Sequence, residues 1–184
     1  MRIYNKIESS KLIKELNLNH FPEKVFKKGQ TEEVLKFLNE FPVEFYAIRD
    51  KSKFGGEFKL AIVRDKVLET VKDYSLFSIN VSSYNYVKNQ KLVGEILVSK
   101  EDVSILASTD SNYSLRDVYK NPEFNFKTDI FNDKLLNNVP YFDEIFKYIF
   151  DNNLSNIIVE FAYFDKPVGV NKQNIIIYEL RTDY

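Results

Sequence analysis

Two apolar segments near the C-terminus each carry one glutamate. Glu160 lies within residues 156–164 and Glu179 within residues 174–182, and most of the other side chains are aliphatic or aromatic. A carboxylate in such surroundings is costly unless a partner or a cation neutralises it. Two carboxylates on adjacent strands are the oxygen ligands that Mg²⁺ prefers, and Mg²⁺ brings phosphates with it. Arg181 adds a cation close by, so the segment predicts a metal and phosphate site.

The faces of these strands follow from the period of two in an extended chain. Simple alternation places Glu179 and Arg181 on one face together with Ile175 and Ile177, and it places Glu160 with the residues two positions away on its own strand. In a suitable register both carboxylates line one surface. The alternative is that Glu179 pairs with Arg181 or with a lysine on a solvated sheet face.

A predicted β-hairpin offers the complementary chemistry. Arg49 and Lys51 belong to its first strand, Gly55 and Gly56 to its loop, and Lys59 to its returning strand. These cations and the exposed backbone N–H groups of a glycine turn could hold a polyphosphate through charge-assisted hydrogen bonds. The alternative is an exposed hairpin whose alternating charges serve solubility.

The composition limits the other possibilities. The chain has 184 residues, 44% hydrophobic and 29% charged, which predicts a single domain with possible lobes at residues 1–75 and 76–184. A net charge of -1 gives no broad attraction to nucleic acid or to a membrane, so neither is expected as a partner. Cysteine is absent and His20 is the single histidine, which excludes thiolate chemistry and multi-histidine metal sites. Nothing resembles a signal peptide, so a cytoplasmic location is expected.

The periodic pattern predicts an α+β domain with a largely antiparallel sheet. A polar, irregular stretch, Thr109–Asn138, interrupts the pattern. Helices are predicted at residues 9–16, 31–38, 65–74 and 140–150, and strands at 44–50, 57–64, 76–81, 91–99, 103–108 and in the two glutamate-bearing segments.

In their order along most of the chain, these segments resemble the ATP-grasp nucleotide-binding module, above all the version at the N-terminus of pyruvate phosphate dikinase and phosphoenolpyruvate synthase. The resemblance predicts an ATP-grasp-like fold. The segments that carry it are Lys11-Leu-Ile with Phe21-Pro22, Tyr46-Ala-Ile-Arg49, Phe54-Gly-Gly-Glu57-Phe58, Ile158-Val-Glu160-Phe-Ala162 and Ile177-Tyr-Glu179-Leu-Arg181-Thr182.

The resemblance also implies a site. ATP and Mg²⁺ would be the cofactors, with Glu160 and Glu179 as metal ligands, Arg49 on the ATP phosphates and Arg181 on the γ-phosphate. The early lysine, Lys11, would belong to the nucleotide-binding set. The implied activity is ATP-dependent phosphoryl transfer or carboxylate activation, with a small molecule or a protein as acceptor.

A second hypothesis comes from a different class of protein. The chain would be a non-enzymatic interaction module, for example a phage or mobile-element protein that binds a host partner. Its recognition surface would then be the polar stretch Thr109–Asn138 together with the abundant tyrosines.

Overall fold

The computed structural model describes residues 6–52, 56–110, 121–130 and 133–182. The chain forms two compact units. One comprises residues 1–20 and 88–184 and contains a five-stranded sheet; the other comprises residues 21–87 and contains a four-stranded sheet. We call them the five-stranded unit and the four-stranded unit.

The five-stranded unit has an antiparallel sheet in the order β7-β6-β5-β8-β9. Its strands are β5 (Gln90–Val98), β6 (Asp102–Ser108), β7 (Phe124–Asp129), β8 (Ile158–Val168) and β9 (Gln173–Arg181). Its helices are α1 (Lys6–Glu15), α4 (Asp133–Leu136) and α5 (Phe142–Asp151).

One face of this sheet forms the core of the unit. Its buried side chains pack with α1, α4 and α5, which contribute residues such as Leu12, Leu136 and Ile145. Helix α5 has its apolar side chains three and four positions apart, which places them on one side of the helix. The sheet residues of the core include Leu92, Ile96, Val98, Val103, Ile105, Val159, Phe161, Ile175, Ile177 and Leu180.

Asn19 fixes the hairpin between β8 and β9. Its side chain is fully buried, and its Nδ2 donates to the carbonyl oxygens of Val168 (2.9 Å) and Ile175 (2.8 Å). Its Oδ1 accepts from the backbone N–H of Asn171 at 2.9 Å. A buried amide satisfied in this way joins the chain before residue 20 to a hairpin about 150 residues later in sequence.

The four-stranded unit has an antiparallel sheet in the order β1-β4-β2-β3. Its core contains Phe26, Phe37, Tyr46 and Ile79. The strands are β1 (Glu23–Lys27), β2 (Phe45–Asp50), β3 (Phe58–Val63) and β4 (Leu76–Val81), and the helices are α2 (Thr31–Glu40) and α3 (Val67–Val71), with 3-10 turns at Arg64–Lys66 and Ser83–Asn89.

The predicted α+β class with antiparallel sheets is confirmed. Two strands were not predicted: β1, which follows Phe21-Pro22, and β7, which lies in the stretch expected to be irregular. Both are short strands in which charged or polar side chains outnumber apolar ones. Within the part of the chain that the structure describes, no helix is long and apolar enough to cross a membrane.

Candidate cation and phosphate sites

The register between β8 and β9 places the two C-terminal glutamates side by side. Glu160 and Glu179 are direct Cα partners, and both side chains are partly buried. Directly opposed residues of an antiparallel pair project to the same side of the sheet, with Cβ atoms about 5 Å apart. The two carboxylates therefore lie on one face, as the metal hypothesis requires.

A β-bulge at Tyr178 makes this arrangement possible. Glu179 pairs with Glu160, whereas Ile177 pairs with Phe161, so Tyr178 is an extra residue on β9. Because Glu160 and Phe161 are consecutive and point to opposite faces, Glu179 and Ile177 do so as well. The prediction that Glu179 and Arg181 share a face with the isoleucines at 175 and 177 was wrong, since alternation fails at a bulge.

A third glutamate extends the pair into a row. Glu95 on β5 is the direct partner of Glu160 on its other side, so Glu95, Glu160 and Glu179 lie across three adjacent strands. We call this the glutamate row, and the sheet face that bears it the carboxylate face. Sequence reasoning missed Glu95, although it shows the same signal as the others: one carboxylate inside an otherwise apolar strand.

Arg181 also lies on the carboxylate face, where it forms an ion pair and a hydrogen bond with Glu95. The side chain of Glu95 is 19% exposed and that of Arg181 is 36% exposed. Like charges directly opposite each other destabilise an antiparallel pair. Cations on this face, such as the guanidinium of Arg181, therefore stabilise the sheet.

The donor set of the carboxylate face fits Mg²⁺. The residues described by the structure contain no cluster of three or more histidine, cysteine, aspartate or glutamate side chains arranged to hold a metal. Mg²⁺ does not need one, because it keeps several waters and is usually bound by one or two carboxylates together with substrate phosphates. Glu160 and Glu179 would hold it in that way.

A small depression lies on the same face, at its β6–β7 side. It has a volume of about 100 Å³ and is lined by Leu97, Ser99, Asp102, Ser104 and Lys127. Lys127 Nζ is 2.9 Å from Asp102 Oδ2, so the lysine charge is already paired there.

In the four-stranded unit, Arg49 lies between an aromatic ring and a buried hydroxyl. It is the direct partner of Phe58 on β3 and of Ser78 on β4. Its guanidinium carbon is 4.4 Å from the centroid of the Phe58 ring, a cation–π contact. The Ser78 hydroxyl is buried and, among the described residues, has no hydrogen-bond partner. This face therefore combines a guanidinium with an unsatisfied polar group.

Lys51 is already paired in this unit. Its Nζ is 3.2 Å from Glu23 Oε1, and the two side chains are only 17% and 12% exposed. A phosphate contact from Lys51 would have to share this cation with a carboxylate that is nearly buried.

Lys59 lies on the opposite face of the hairpin from Arg49. It is the partner of Ile48, because β3 also contains a bulge, and its Nζ is 3.3 Å from Glu57. Glu57 in turn accepts a 2.6 Å hydrogen bond from Tyr74 Oη, and this bond raises the pKa of Tyr74 to about 12. The structure therefore does not bring Lys59 to the face that bears Arg49.

Gly56 has a role in closing the hairpin. A Cβ atom at this position would lie 2.2 Å from the carbonyl oxygen of Asp50, so the close approach of the two strands requires glycine. Asp50 is buried and accepts a 2.9 Å hydrogen bond from the N–H of Ser52, which orders the start of the loop. Gly55 lies outside the described residues.

Lys11 is far from the carboxylate face in the fold. It lies on α1, whose buried residues pack against the other side of the sheet, and its side chain is 75% exposed and 3.5 Å from Glu15. Its nucleotide-binding role stays a prediction that this position does not support.

Much of the polar stretch Thr109–Asn138 lies outside the described residues, namely 111–120 and 131–132. The hypothesis that it forms a recognition surface therefore stays a prediction. Its described residues include β7, which pairs with β6 at the edge of the sheet, and α4.

Comparison with known proteins identifies the fold. No family model and no curated protein matches the sequence. Solved structures do match, at low identity. An N5-carboxyaminoimidazole ribonucleotide synthetase in complex with ADP superposes with a TM-score of 0.54, with 10% identity over 98% of this chain and 45% of that one. The N5-carboxyaminoimidazole synthase of Aspergillus clavatus, in complex with ADP and an aminoimidazole ribonucleotide, superposes with a TM-score of 0.53. Its sequence identity is 13% over 98% of this chain and 44% of that one.

The D-alanine-D-alanine ligase of Helicobacter pylori is a further match, with a TM-score of 0.48 and 12% identity over 97% of this chain and 54% of that one. These neighbours are ATP-grasp-type ligases, and the chain has an ATP-grasp-like fold, as the sequence predicted. It spans about half the length of the solved structures that it matches.

Proposed function

We propose that the five-stranded unit binds a divalent cation, Mg²⁺, through Glu160 and Glu179, and that this cation carries the phosphates of ATP. The observation that supports the proposal most strongly is the direct pairing of the two glutamates on the sheet face opposite the helices. A cation between directly opposed carboxylates removes their repulsion and supplies the charge that phosphates need.

The other predicted phosphate-binding residues differ in how well their surroundings suit that role. Arg181 shares the carboxylate face with the metal pair, and we propose that it contacts the γ-phosphate. Arg49 would contact phosphate in its own unit, beside the unsatisfied hydroxyl of Ser78. We retain the backbone of the Gly55-Gly56 loop as a proposed phosphate contact. For Lys51 and Lys59, existing carboxylate partners weaken the proposal.

The activity that fits such a site is phosphoryl transfer or activation of a carboxylate by ATP. In these reactions the protein contributes mainly positioning and stabilisation of the charge that develops on the transferred group. The bound cation would neutralise phosphate oxygens, and Arg181 on the same face would donate charge-assisted hydrogen bonds to them. The acceptor would be a small molecule or a protein in the cytoplasm.

The fold supports nucleotide binding in particular. Two of the solved structures that share it are described as complexes with ADP. The closer resemblance to the pyruvate phosphate dikinase module stays a prediction, since it depends on the sequence motifs alone.

A thermal-shift titration tests the proposal. Ligands that bind only the native state stabilise it by mass action. The gain is about 2.7 kcal/mol when the ligand concentration is one hundred times the dissociation constant. We expect ATP with Mg²⁺ to raise the midpoint, ATP with EDTA to raise it less, and Glu179→Gln to abolish the Mg²⁺-dependent part. Glu144→Gln, on the exposed side of α5, is the matched control and should respond as the wild type does.

Absence of any shift at millimolar ATP and Mg²⁺ would contradict nucleotide binding. A Mg²⁺-dependent shift that survives both Glu160→Gln and Glu179→Gln would instead place the cation elsewhere.

A further inference from the structure

The sheet of the four-stranded unit has an excess of positive charge on the side opposite α2 and α3. Phe26, Ile48 and Phe77 pack toward those helices, so the residues next to them on each strand project to the other side. The charged residues that β1, β2 and the adjoining Lys51 place on that side are three cations and one carboxylate: Lys27, Arg49, Lys51 and Glu23. We call it the cationic face. Such an excess of one charge attracts ligands of the opposite charge.

The ion pair between Lys51 and Glu23 spans this face. Strand β4 lies between the strands that carry the two residues. Glu23 is level with Asn80 of β4, and Lys51 is level with Leu76, because its backbone N–H donates to the Leu76 carbonyl at 2.8 Å. The contact between Lys51 and Glu23 therefore crosses β4 between these two positions, where the residue on the same face is Ser78.

Ser78 carries a hydroxyl group that the protein itself does not satisfy. The residue is 1% exposed, and its Oγ has no hydrogen-bond partner among the described residues. Buried polar groups are nearly always paired, so an unpaired one calls for a reason. Glu23 neutralises the Lys51 ammonium but does not accept from this hydroxyl. The internal carboxylate therefore meets only one of the two requirements at this position.

We propose that Lys51 and Ser78 form a phosphate-binding site, and that Glu23 is an internal anion that competes with the phosphate for Lys51. The inference rests on the proposed function for the identity of the ligand, and it adds a binding residue and an autoinhibitory contact to it. A phosphate accepts from the ammonium and from the hydroxyl together. The Glu23 contact, at 3.2 Å, is longer than the 2.7–2.9 Å typical of charge-assisted hydrogen bonds.

The position of Glu23 suits displacement. β1 is an edge strand of the sheet, so the Glu23 carboxylate has solvent on one side of its strand and can leave Lys51 without breaking the strand pairing. Its departure uncovers the middle of β4, where Ser78 lies. The repulsion between a bound phosphate and the nearby carboxylate drives the same movement.

Two other roles for Glu23 make different predictions. If the ion pair is purely structural, loss of Glu23 lowers stability and gives no gain in anion affinity. If Glu23 acts only through the net charge of the chain, any lost carboxylate gives the same gain, and Lys51 is not needed for it. Variants of Glu23, Lys51 and Ser78 in combination separate these roles.

The experiment measures binding of inorganic tripolyphosphate to the full chain by isothermal titration calorimetry, at low ionic strength and with EDTA in place of Mg²⁺. We expect Glu23→Gln to bind about tenfold more tightly than the wild type, because the competing charge is gone. Adding Lys51→Met should abolish this gain. Adding Ser78→Ala instead should weaken binding by about threefold or more, with no loss of stability in the absence of the anion, because alanine removes an unsatisfied hydroxyl.

The control addresses general charge effects. Glu69→Gln removes the same charge from an exposed ion pair with Lys66, elsewhere in the same unit, and should leave tripolyphosphate binding unchanged. If Glu23→Gln fails to fold because Lys51 has lost its countercharge, tripolyphosphate should restore the folded state by binding to it. Failure to restore it would overturn the proposal.

The remaining outcomes are as decisive. A gain in Glu23→Gln that requires both Lys51 and Ser78 supports the proposal. No gain, or a gain that survives Lys51→Met, overturns it. The titration with ATP and Mg²⁺ tests the proposed function separately. If ATP with Mg²⁺ stabilises the chain while Glu23→Gln gains nothing, only this inference fails. If ATP with Mg²⁺ has no effect while Glu23→Gln binds tripolyphosphate more tightly, the nucleotide proposal fails and the anion site stands.

Discussion

Deletion of Tyr178 tests the register on which the carboxylate site depends. Because Tyr178 is the extra residue of a bulge, its removal leaves Ile177 opposite Phe161 and Glu179 opposite Glu160 in an unbroken ladder. The core and carboxylate faces of β9 are therefore kept. A deletion within a regular strand exchanges the two faces on one side of the deleted residue. A variant that lacks Tyr178 and still folds stably would therefore show that Tyr178 is the extra residue of a bulge.

The expected stability of the Tyr178 deletion differs by several kcal/mol between a bulged β9 and a β9 with simple alternation. Ile175 and Ile177 are 5% and 2% exposed. If β9 followed simple alternation, deletion would turn both isoleucines away from the face of Glu179 and expose them. Full burial of an isoleucine contributes about 1.5–3 kcal/mol, so the loss would be about 3–6 kcal/mol. With the bulge, the deletion should cost only what the Tyr178 side chain itself contributes.

Urea denaturation of three variants measures this difference. Tyr178→Ala loses the side chain and keeps the bulge, so the free energies of unfolding of this variant and of the deletion should agree to within about 1 kcal/mol. Deletion of Ala162, which is regularly paired on β8, should cost about 3–6 kcal/mol by exchanging faces. A Tyr178 deletion that is 3 kcal/mol or more less stable than Tyr178→Ala would refute the bulge.

Three further predictions concern single residues. Asn19→Ala removes the hydrogen bonds of its side chain to three carbonyl oxygens and one N–H, so urea denaturation should show a loss of about 3–5 kcal/mol, against less than about 0.5 for exposed Asn138→Ala. Gly94→Ala would place a Cβ 2.4 Å from a carbonyl oxygen of β6, and a loss of about 1–3 kcal/mol or more is expected; an unchanged midpoint would argue against this strand contact. Tyr74 ionises at a higher pH in the folded than in the unfolded chain, so its contribution to stability is complete below about pH 10 and is lost as the pH rises toward 12. Ultraviolet titration should show a late phenolate that Tyr74→Phe removes.

The sequence predicted most of the elements because their signals are local. Apolar residues at helical spacing identified α2 and α5, and apolar runs identified the central strands of both sheets. It missed β1 and β7, whose charged and half-buried residues carry little apolar signal. Their strand conformation comes from pairing with β4 and β6, which are distant from them in sequence.

By itself, the sequence determined that carboxylates lie inside apolar strands, and that chemistry alone pointed to a cation. Only the tertiary structure decided which carboxylates meet. The face on which a residue lies depends on its pairing with the partner strand. One extra residue, Tyr178, places Glu179 on the opposite face from Ile175 and Ile177, whereas simple alternation puts them together. A bulge likewise moved Lys59 away from Arg49. The same pairing placed Glu95 beside Glu160, a contact between residues far apart in the chain that no local pattern encodes.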